Sequence, residues 1–359
     1  MYKKFEKFSD NYNMLRGVNA FTTTNNIVDV YPSDKDVLES LTTGGQIHKE
    51  VRSFLQPYLK PGLKLIDIAE LIEKKTEELT NKISNSNPIN KGIGFPVGIA
   101  INECAAHYHP KPNSTEIINK DDVVKIDFGV EVNEWIIDSA FTFCFNSKYD
   151  PLLDAVKDAT YYGIKNIGID VSIPEWGAQI QEVMESYEIT LENKIYPIKA
   201  IHNLGGHNIV KGLIHGGLFL PAVNMKGYYS STYRFKEGVY AVETFGSTGA
   251  NNVSETDEST LYRLNPSHTQ LSKANIPDET SLFIDKINNK FKTLPFTDRY
   301  IELFNISDYK SKLKLLAKNN FIHSYPPLSV NKGAYTAQYE HTVYIGDNKK
   351  IVFSQSDDY

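Results

Sequence analysis

Two aspartates lie in neighbouring apolar segments of this sequence, where together they could bind a cation. Asp127 lies in VVKIDFGV and Asp138 in EWIIDSAFTF, with a short polar turn around EVNE between them. A tight hairpin centred on Val132 and Asn133 would place the two aspartates directly opposite one another, where like charges destabilise a sheet. The apolar neighbours predict buried strands, and a buried carboxylate needs a partner. Since Lys125, on the same face, is the only basic residue of the hairpin, a bound cation would resolve this conflict.

Three further residues in strand-like or glycine-rich segments have side chains that suit a metal site. His207 lies in NLGGHNIV, Glu243 in GVYAVETFGST and Glu340 in AYTAQYEHTVYI. Taken singly, each glutamate can be an exposed strand residue and His207 a structural histidine. The two aspartates can be a hydrogen-bonded turn pair. Together, four carboxylates and one imidazole balance the charge of two divalent cations and favour Mn, Fe, Co or Zn. Two such cations are a recurring hydrolytic arrangement, so these residues predict a dinuclear metal site and a hydrolase.

The composition indicates a folded cytoplasmic protein. The chain has 359 residues, 41% of them hydrophobic and 23% charged, with a net charge of −6. These values exclude wholesale disorder and argue against nucleic acid as the main ligand. The segment MYKKFEKFSD lacks the apolar centre of a secretory signal, and no apolar stretch is long enough to span a membrane. With only Cys104 and Cys144, we expect neither a disulfide framework nor a structural zinc site.

The elements that must position these residues occur in a repeated order. The hydrophobic period and the capping residues predict four helices: Ser33 to about Leu59, Ile66 to Lys82, one beginning at Asp150-Pro151, and Ser172 to about Tyr187. A period of two predicts strands near 94–108, 122–146, 195–201, 239–247 and 335–345. Two helices followed by strands therefore occur twice, which indicates two similar halves that face each other.

Two segments stand outside this repeat. Residues 1–32 are polar and aperiodic, and they predict an arm that lies over the surface. Residues 255–325 carry helical segments such as ETSLFIDKINNKF and YKSKLKLLAKNNF without strands between them, so we expect a helical insert. We take residues 33–359, with this insert, as the catalytic domain.

The motifs around the candidate ligands resemble those of one enzyme family. HYHP, KIDFG, IIDSAF, NLGGH, IHGG, VETFGSTG, YPPL and AQYEHT occur in this order, and from about residue 35 the chain is similar to type 2 methionine aminopeptidases. The resemblance implies the pita-bread fold of the α/β (α+β) class, with two pseudo-symmetric halves around a central antiparallel sheet and a helical insert subdomain. It also implies removal of the initiator methionine from nascent or new polypeptides with a small second residue. In that reaction a hydroxide held by two metals attacks the peptide bond.

The same resemblance implies a role for each candidate ligand. Asp127 is expected to bind one metal, while His207 and Glu243 bind the other. Asp138 and Glu340 are expected to bridge both metals, and Glu243 is the candidate to shuttle a proton from the attacking water. The implied cofactors are two divalent ions per chain, of Mn, Co, Fe or Zn.

The resemblance also implies the residues that contact the substrate. His107 in AAHYHP matches the family histidine near the substrate amide nitrogen, and His215 in LIHGG matches the histidine that contacts the carbonyl. The residues alone leave open a turn cap for His107 and a core position for His215. The methionine pocket is expected at four apolar or aromatic positions, with a leucine at its rim where the family often has a histidine: Phe95, Ile214, Phe245 and Tyr325, and Leu261. Three other histidines are expected to be structural: His109, His202 and His341.

Two alternative interpretations remain. An X-Pro peptidase or prolidase uses the same ligand types on the same fold, but usually has a separate N-terminal domain and lacks the helical insert. A catalytically inactive pita-bread protein that binds RNA or protein would lose metal ligands, whereas all five are present here. The expected partners are polypeptide N-termini, with no membrane; contact with the ribosome stays open, and a monomer is expected.

Overall fold

Two helices and a set of antiparallel strands form the first half of the fold. The computed structural model describes residues 35–83, 90–225, 233–272, 274, 276–347 and 349–359, so the expected arm at residues 1–32 and the Ser33 cap lie outside it. The elements of this half are α1 (Lys35–Leu55), α2 (Leu65–Asn81), β1 (Lys91–Ile101), β2 (Cys104–Ala106), β3 (Val123–Val132) and β4 (Trp135–Cys144). A 3₁₀ turn at Gln56–Tyr58 extends α1 to its predicted end. The helices bury their apolar stripes against a sheet of order β1-β3-β4.

The second half repeats this order. Its helices are α3 (Asp150–Asn166) and α4 (Ile173–Glu185), each with a proline in its first turn, as predicted. Its strands begin with β5 (Glu188–Leu191), β6 (Lys194–Pro197), β7 (Lys199–Ala200), β8 (Gly205–Ile209), β9 (Phe219–Pro221) and β10 (Gly238–Ser247). A second apolar cluster fills the space between these helices and strands.

The segment between β10 and the last long strand contains strands as well as helices. It comprises β11 (Ser254–Glu255), β12 (Leu261–Leu264), α5 (Asp278–Phe291), β13 (Phe296–Thr297), α6 (Asp298–Glu302), α7 (Tyr309–Lys318), β14 (Ile322–Tyr325) and β15 (Leu328–Ser329). The expectation of helices without strands is therefore wrong, since β13, β12 and β14 form a small sheet. These strands have two to four residues, too few to show a period of two. The segment has its own apolar cluster.

Two final strands complete the second sheet. With β16 (Thr336–Gly346) and β17 (Lys349–Val352), this six-stranded sheet has the order β17-β16-β10-β8-β9, with β7 paired to β10. In the described part of the chain, no helix has both the length and the apolar character needed to cross a membrane.

The β3–β4 hairpin turns one residue later than expected. Asn133 and Glu134 form its two-residue turn with φ angles of 53° and 69°, and a type I′ turn needs positive φ at both positions. Asp127 of β3 therefore faces Ala140 of β4, and Asp138 lies two residues before Ala140 on β4. The expected direct pairing of the two aspartates is wrong, although they share one face of the hairpin as diagonal neighbours.

Two threonines join the halves where β4 lies against β16. The backbone N–H of Asp138 donates to Thr342 Oγ1 at 2.8 Å, and the Thr342 hydroxyl donates to the Asp138 carbonyl at 2.7 Å. Thr142 makes the same two bonds with the backbone of Gln338, at 2.8 and 2.7 Å. We call these four hydrogen bonds the threonine seam. Since all four residues are buried, the seam fixes the relative position of the halves.

Candidate active site

One cavity between the halves collects every residue that the sequence identified as catalytic, ligating or substrate-binding. It encloses about 100 Å³ and is lined by both sheets, by the loops after β2 and β8, and by β12 and β14 of the insert. The candidate ligands lie on five strands: Asp127 on β3, Asp138 on β4, His207 on β8, Glu243 on β10 and Glu340 on β16. Because strands of both halves contribute, the cavity depends on how the halves meet.

A pair of like charges does face each other across this site, but in the second half. Glu243 of β10 is directly opposite Glu340 of β16, and His207 of β8 is opposite Ala241. Glu340 is 1% exposed and Glu243 is partly buried. Two carboxylates opposed in a buried ladder destabilise it unless a cation lies between them.

Within the described ranges, several carboxylate oxygens of this site lack a partner of the kind that a cation would supply. Ligand atoms of Asp138, His207 and Glu340 lie within 4.8 Å of one another, as do those of Asp127, Glu243 and Glu340. Buried oxygens of Asp127, Asp138 and Glu340 have no hydrogen-bond partner among the described residues. Burial, followed by repulsion between the carboxylates, raises the pKa of Asp127, Glu243 and Glu340 well above its usual range. Oxygen-rich donors with one imidazole therefore fit hard or borderline divalent cations at this position.

His207 is oriented for ligation by its other ring nitrogen. Its Nδ1 lies 3.3 Å from the carbonyl of Asn208, to which it can donate. That bond leaves Nε2 as the lone-pair nitrogen, 3.3 Å from Asp138 Oδ2. An imidazole held in this way is the usual arrangement behind a metal-binding histidine.

Gln338 is a site residue that the sequence analysis missed. Its Nε2 donates to Glu243 Oε1 at 2.6 Å and to Asp127 Oδ2 at 3.2 Å. It lies two residues before Glu340 on β16, so the period of two of a strand puts both side chains on one face. That period in AQYEHT was the signal that could have identified it. In the structure Gln338 holds Glu243 beside Asp127, whereas the resemblance groups Glu243 with His207.

His107 lines the site and has a strained backbone conformation. Its φ is 63°, in the left-handed region that residues other than glycine seldom adopt. Its Nδ1 is buried and has no hydrogen-bond partner in the described chain, and its ring meets that of Tyr325 edge-on at 5.8 Å. Burial lowers the pKa of His107 to about 4, so the ring is neutral near pH 7. A strained, uncharged imidazole that lines the cavity suits hydrogen bonding to a substrate better than capping of a turn.

His215 lies beside the metal-type residues, on the loop between β8 and β9. Its ring meets that of His207 edge-on, with 4.2 Å between centroids. Burial, and then the nearby His207 and Arg263, hold the pKa of His215 well below its usual range. A neutral imidazole at this place can donate one hydrogen bond toward the cavity.

The apolar wall of the cavity contains the residues expected to hold a methionine side chain. Five of them line it: Phe95, Ile214, Phe245, Leu261 and Tyr325. Phe95 packs over Gly129, where a Cβ would come within 2.3 Å of its ring. Gly129 thus leaves the space that Phe95 occupies.

Lys125, the basic residue of the hairpin, has partners other than the aspartates. Lys125 Nζ donates to the carbonyls of Asn102 and Val123 at 2.9 and 3.3 Å, and burial lowers its pKa to about 7. It therefore does not neutralise Asp127.

Of the histidines expected to be structural, His109 does line the cavity, with Nδ1 3.2 Å from the His107 carbonyl.

Tyr359 and Ser139 form hydrogen bonds next to two of the candidate ligands. The hydroxyl oxygens of Tyr359 and Ser139 are 2.6 Å apart, and the Ser139 hydroxyl donates to the carbonyl of Glu340 at 2.7 Å. The Tyr359 ring stacks on His341 at 4.6 Å. This contact fixes backbone next to both Asp138 and Glu340.

Comparisons with known proteins agree with this geometry. The sequence profile of Metallopeptidase family M24 matches residues 39–245. The chain is 43% identical over 345 residues to the methionine aminopeptidase 2-2 of Aspergillus niger, which covers 95% of this chain and 79% of that relative.

Solved structures show the same fold at lower identity. A thermophilic Arx1 structure superposes with a TM-score of 0.73 at 19% identity, over 91% of this chain and 92% of that one. The methionine aminopeptidase from Rickettsia prowazekii gives a TM-score of 0.58 at 16% identity, over 90% and 99%. The expected pita-bread fold is therefore confirmed. The chain belongs to the methionine aminopeptidase 2 group of metallopeptidase family M24.

Proposed function

We propose that this protein removes the initiator methionine from polypeptides with a small second residue, as a metal-dependent aminopeptidase. The observation that carries the proposal is the set of buried, unpartnered carboxylate oxygens beside His207, next to an apolar pocket. The 43% identity to a methionine aminopeptidase 2 supports the same substrate.

The cations of this reaction are proposed to be two divalent ions, of Mn, Co, Fe or Zn. Glu340 belongs to both groups of clustered ligand atoms, which supports its role as a bridge. Asp138 is proposed as the second bridge, and Asp127 as a ligand of one ion. His207 and Glu243 are proposed for the other ion, with Glu243 Oε1 still accepting from Gln338.

Divalent cations at this position would polarise the scissile carbonyl and lower the pKa of the attacking water. Glu243 takes the proton of that water, since its carboxylate lines the cavity among the other candidate ligands. His215 donates a hydrogen bond to the carbonyl oxygen as negative charge develops on it. Removing one such donor typically costs about 3–4 kcal/mol of transition-state stabilisation. His107, neutral near pH 7, hydrogen-bonds the amide nitrogen of the scissile bond.

Binding of methionine and the restriction to chain ends follow from the shape of the cavity. The aromatic and aliphatic wall excludes water and accepts an unbranched thioether chain. We propose that the cavity ends at the carboxylates, so that only a chain terminus reaches them. Burial against such a wall favours binding of methionine over smaller residues by roughly 0.8 kcal/mol for each additional methylene group.

The polypeptides in question are nascent or newly released chains, so we place the enzyme in the cytoplasm and propose that it acts as a monomer. The supply of such chains would be greatest at the ribosome. Cosedimentation with ribosomes, and gel filtration of the purified protein, test these two points.

The experiment that tests the activity measures release of the N-terminal amino acid from Met-Ala-Ser and from Ala-Pro-Ser after chelation and readdition of Mn²⁺ or Co²⁺. We expect release from the first peptide alone. Glu340→Gln removes a charged ligand at constant shape and should abolish turnover, while Glu258→Gln, at an exposed position, serves as the matched control. Cleavage of Ala-Pro-Ser instead would identify an X-Pro peptidase. No turnover with any divalent metal, together with no uptake of Mn²⁺ in a calorimetric titration, would identify a binding protein.

A further inference from the structure

The cavity wall contains a buried arginine that the proposed reaction does not use. Arg263 is 7% exposed and lines the cavity. In the described part of the chain, its Nε and Nη1 have no hydrogen-bond partner. A buried guanidinium with unpaired N–H groups is costly, since both its charge and these donors are removed from water.

The alternation of β12 explains why Arg263 faces the cavity. Leu261 and Arg263 are two residues apart and both line the cavity. Tyr262 and Leu264, on the other face, pack in the apolar cluster of the insert, where the Tyr262 ring stacks on Phe296 at 5.9 Å. The insert therefore delivers the arginine into the site that the two halves form.

The other charges of the cavity leave this one without a counter-charge. Its carboxylates are the four candidate metal ligands, whose charge two divalent cations would balance. Lys125, the other basic residue of the wall, donates to backbone carbonyls. Among the described residues, no ion pair involves Arg263, and its strand neighbour across the ladder is His323. The charge of Arg263 is thus available to a ligand.

The donors of a guanidinium select the class of that ligand. Arginine presents its N–H groups in a planar fork that matches the two oxygens of a carboxylate. The cavity places this fork near His215 and Tyr325, where the substrate and the released amino acid would lie.

We propose that Arg263 forms an anion-binding subsite in the cavity, which takes a carboxylate from the peptide that follows the methionine or from released methionine. This proposal rests on the proposed function, because it assumes that peptides and methionine enter the cavity. The shared chemistry is a carboxylate held by the fork of Arg263.

Three pairs of ligands, each a carboxylate and its neutral counterpart, distinguish the sources. Two pairs are substrates compared by kcat/KM with Mn²⁺: Met-Ala-Asp-amide against Met-Ala-Asn-amide, and Met-Ala-Ala-Asp-amide against Met-Ala-Ala-Asn-amide. The third compares the calorimetric affinities of L-methionine and L-methioninol. Each ratio is measured in the wild-type protein and in Arg263→Met. We expect at least one ratio to favour the carboxylate about tenfold more in the wild type than in the variant.

Two further variants control for folding and charge. Arg263→Lys keeps the charge without the fork and should retain part of the preference. Arg234→Met makes the same substitution at an exposed residue that donates to the Asp170 carbonyl, and should keep the wild-type ratios. If all three ratios are equal in the wild type and Arg263→Met, the subsite does not exist. If none of the peptides is cleaved, the proposed function fails, while the methionine pair still decides on the subsite.

Discussion

Thr342→Val should separate the stability of the fold from the precision of the metal site. The substitution keeps the shape of the side chain and removes the hydroxyl that both accepts from the Asp138 N–H and donates to the Asp138 carbonyl. Both backbone groups are then buried without a partner in the threonine seam. A buried group left in this way costs about 1–3 kcal/mol, so for the two groups we expect a loss of about 2–6 kcal/mol in the free energy of unfolding. For a domain stabilised by roughly 5–15 kcal/mol, this change is large and easily measured.

The comparison with Thr142→Val makes this prediction specific. That variant loses the same two bonds to the backbone of Gln338, so its free energy of unfolding should fall by a similar amount. Asp138 is a candidate ligand, whereas Gln338 only donates to ligands. Loss of an outer support of a ligand typically weakens metal binding 10- to 100-fold. We therefore expect Thr342→Val to weaken Mn²⁺ binding to this extent and Thr142→Val to do so several-fold less.

Urea unfolding of the chelated proteins and calorimetric titration with Mn²⁺ measure the two quantities. Thr342→Ser keeps the hydroxyl and should stay close to the wild type in both. If Thr342→Val lowers the free energy of unfolding by less than about 0.5 kcal/mol, or if both valine variants weaken Mn²⁺ binding equally, our account of the seam is refuted.

Three further predictions follow from the site. Gly129→Ala places a Cβ within 2.3 Å of the Phe95 ring and should raise KM for Met-Ala peptides by about tenfold, with a smaller change in kcat; an unaltered KM would contradict the pocket assignment. Gln338→Leu removes the donor shared by Glu243 and Asp127 and should weaken Mn²⁺ binding about 10-fold or more, whereas equal affinity would show that the amide has no part in holding the ligands. Burial raises the folded-state pKa of Asp127, Glu243 and Glu340 above the unfolded value near 4, so the stability that these three groups contribute to the chelated protein is present at low pH and is lost as the pH rises through their folded pKa. The increase in Tm on adding Mn²⁺ should therefore grow between pH 5 and pH 8, and a constant increase would count against this linkage.

The sequence predicted those parts of the fold that local pattern determines. Prolines in the first turns of α3 and α4 located these helices, and the period of two placed both aspartates on one face of the hairpin. The predicted register of the hairpin was wrong because the register depends on which two residues form the turn. The turn consists of Asn133 and Glu134, and not of Val132 and Asn133. Asn-Glu is not among the pairs that commonly form a type I′ turn, so composition gave no guide.

Features that depend on contacts between distant elements could not be predicted. The direct opposition of Glu243 and Glu340 follows from the pairing of β10 with β16, which are almost 90 residues apart in the chain. The strands of the insert are too short to show a period. Arg263 resembles an ordinary exposed strand residue until the insert is folded against the two halves. The resemblance to a family supplied the grouping of the ligands, which no local pattern contains.

The threonine seam has a local symmetry with a consequence for the division of roles in the site. Thr342 binds the backbone of Asp138 as Thr142 binds that of Gln338, so a local two-fold axis relates the strands at this point. Asp138 and Gln338 thus occupy equivalent positions about this axis and carry different side chains. One strand supplies a charged ligand and the other a neutral amide that holds ligands in place. The same backbone geometry therefore positions both a ligand and a residue that supports ligands, and the side chain alone decides which role each position has.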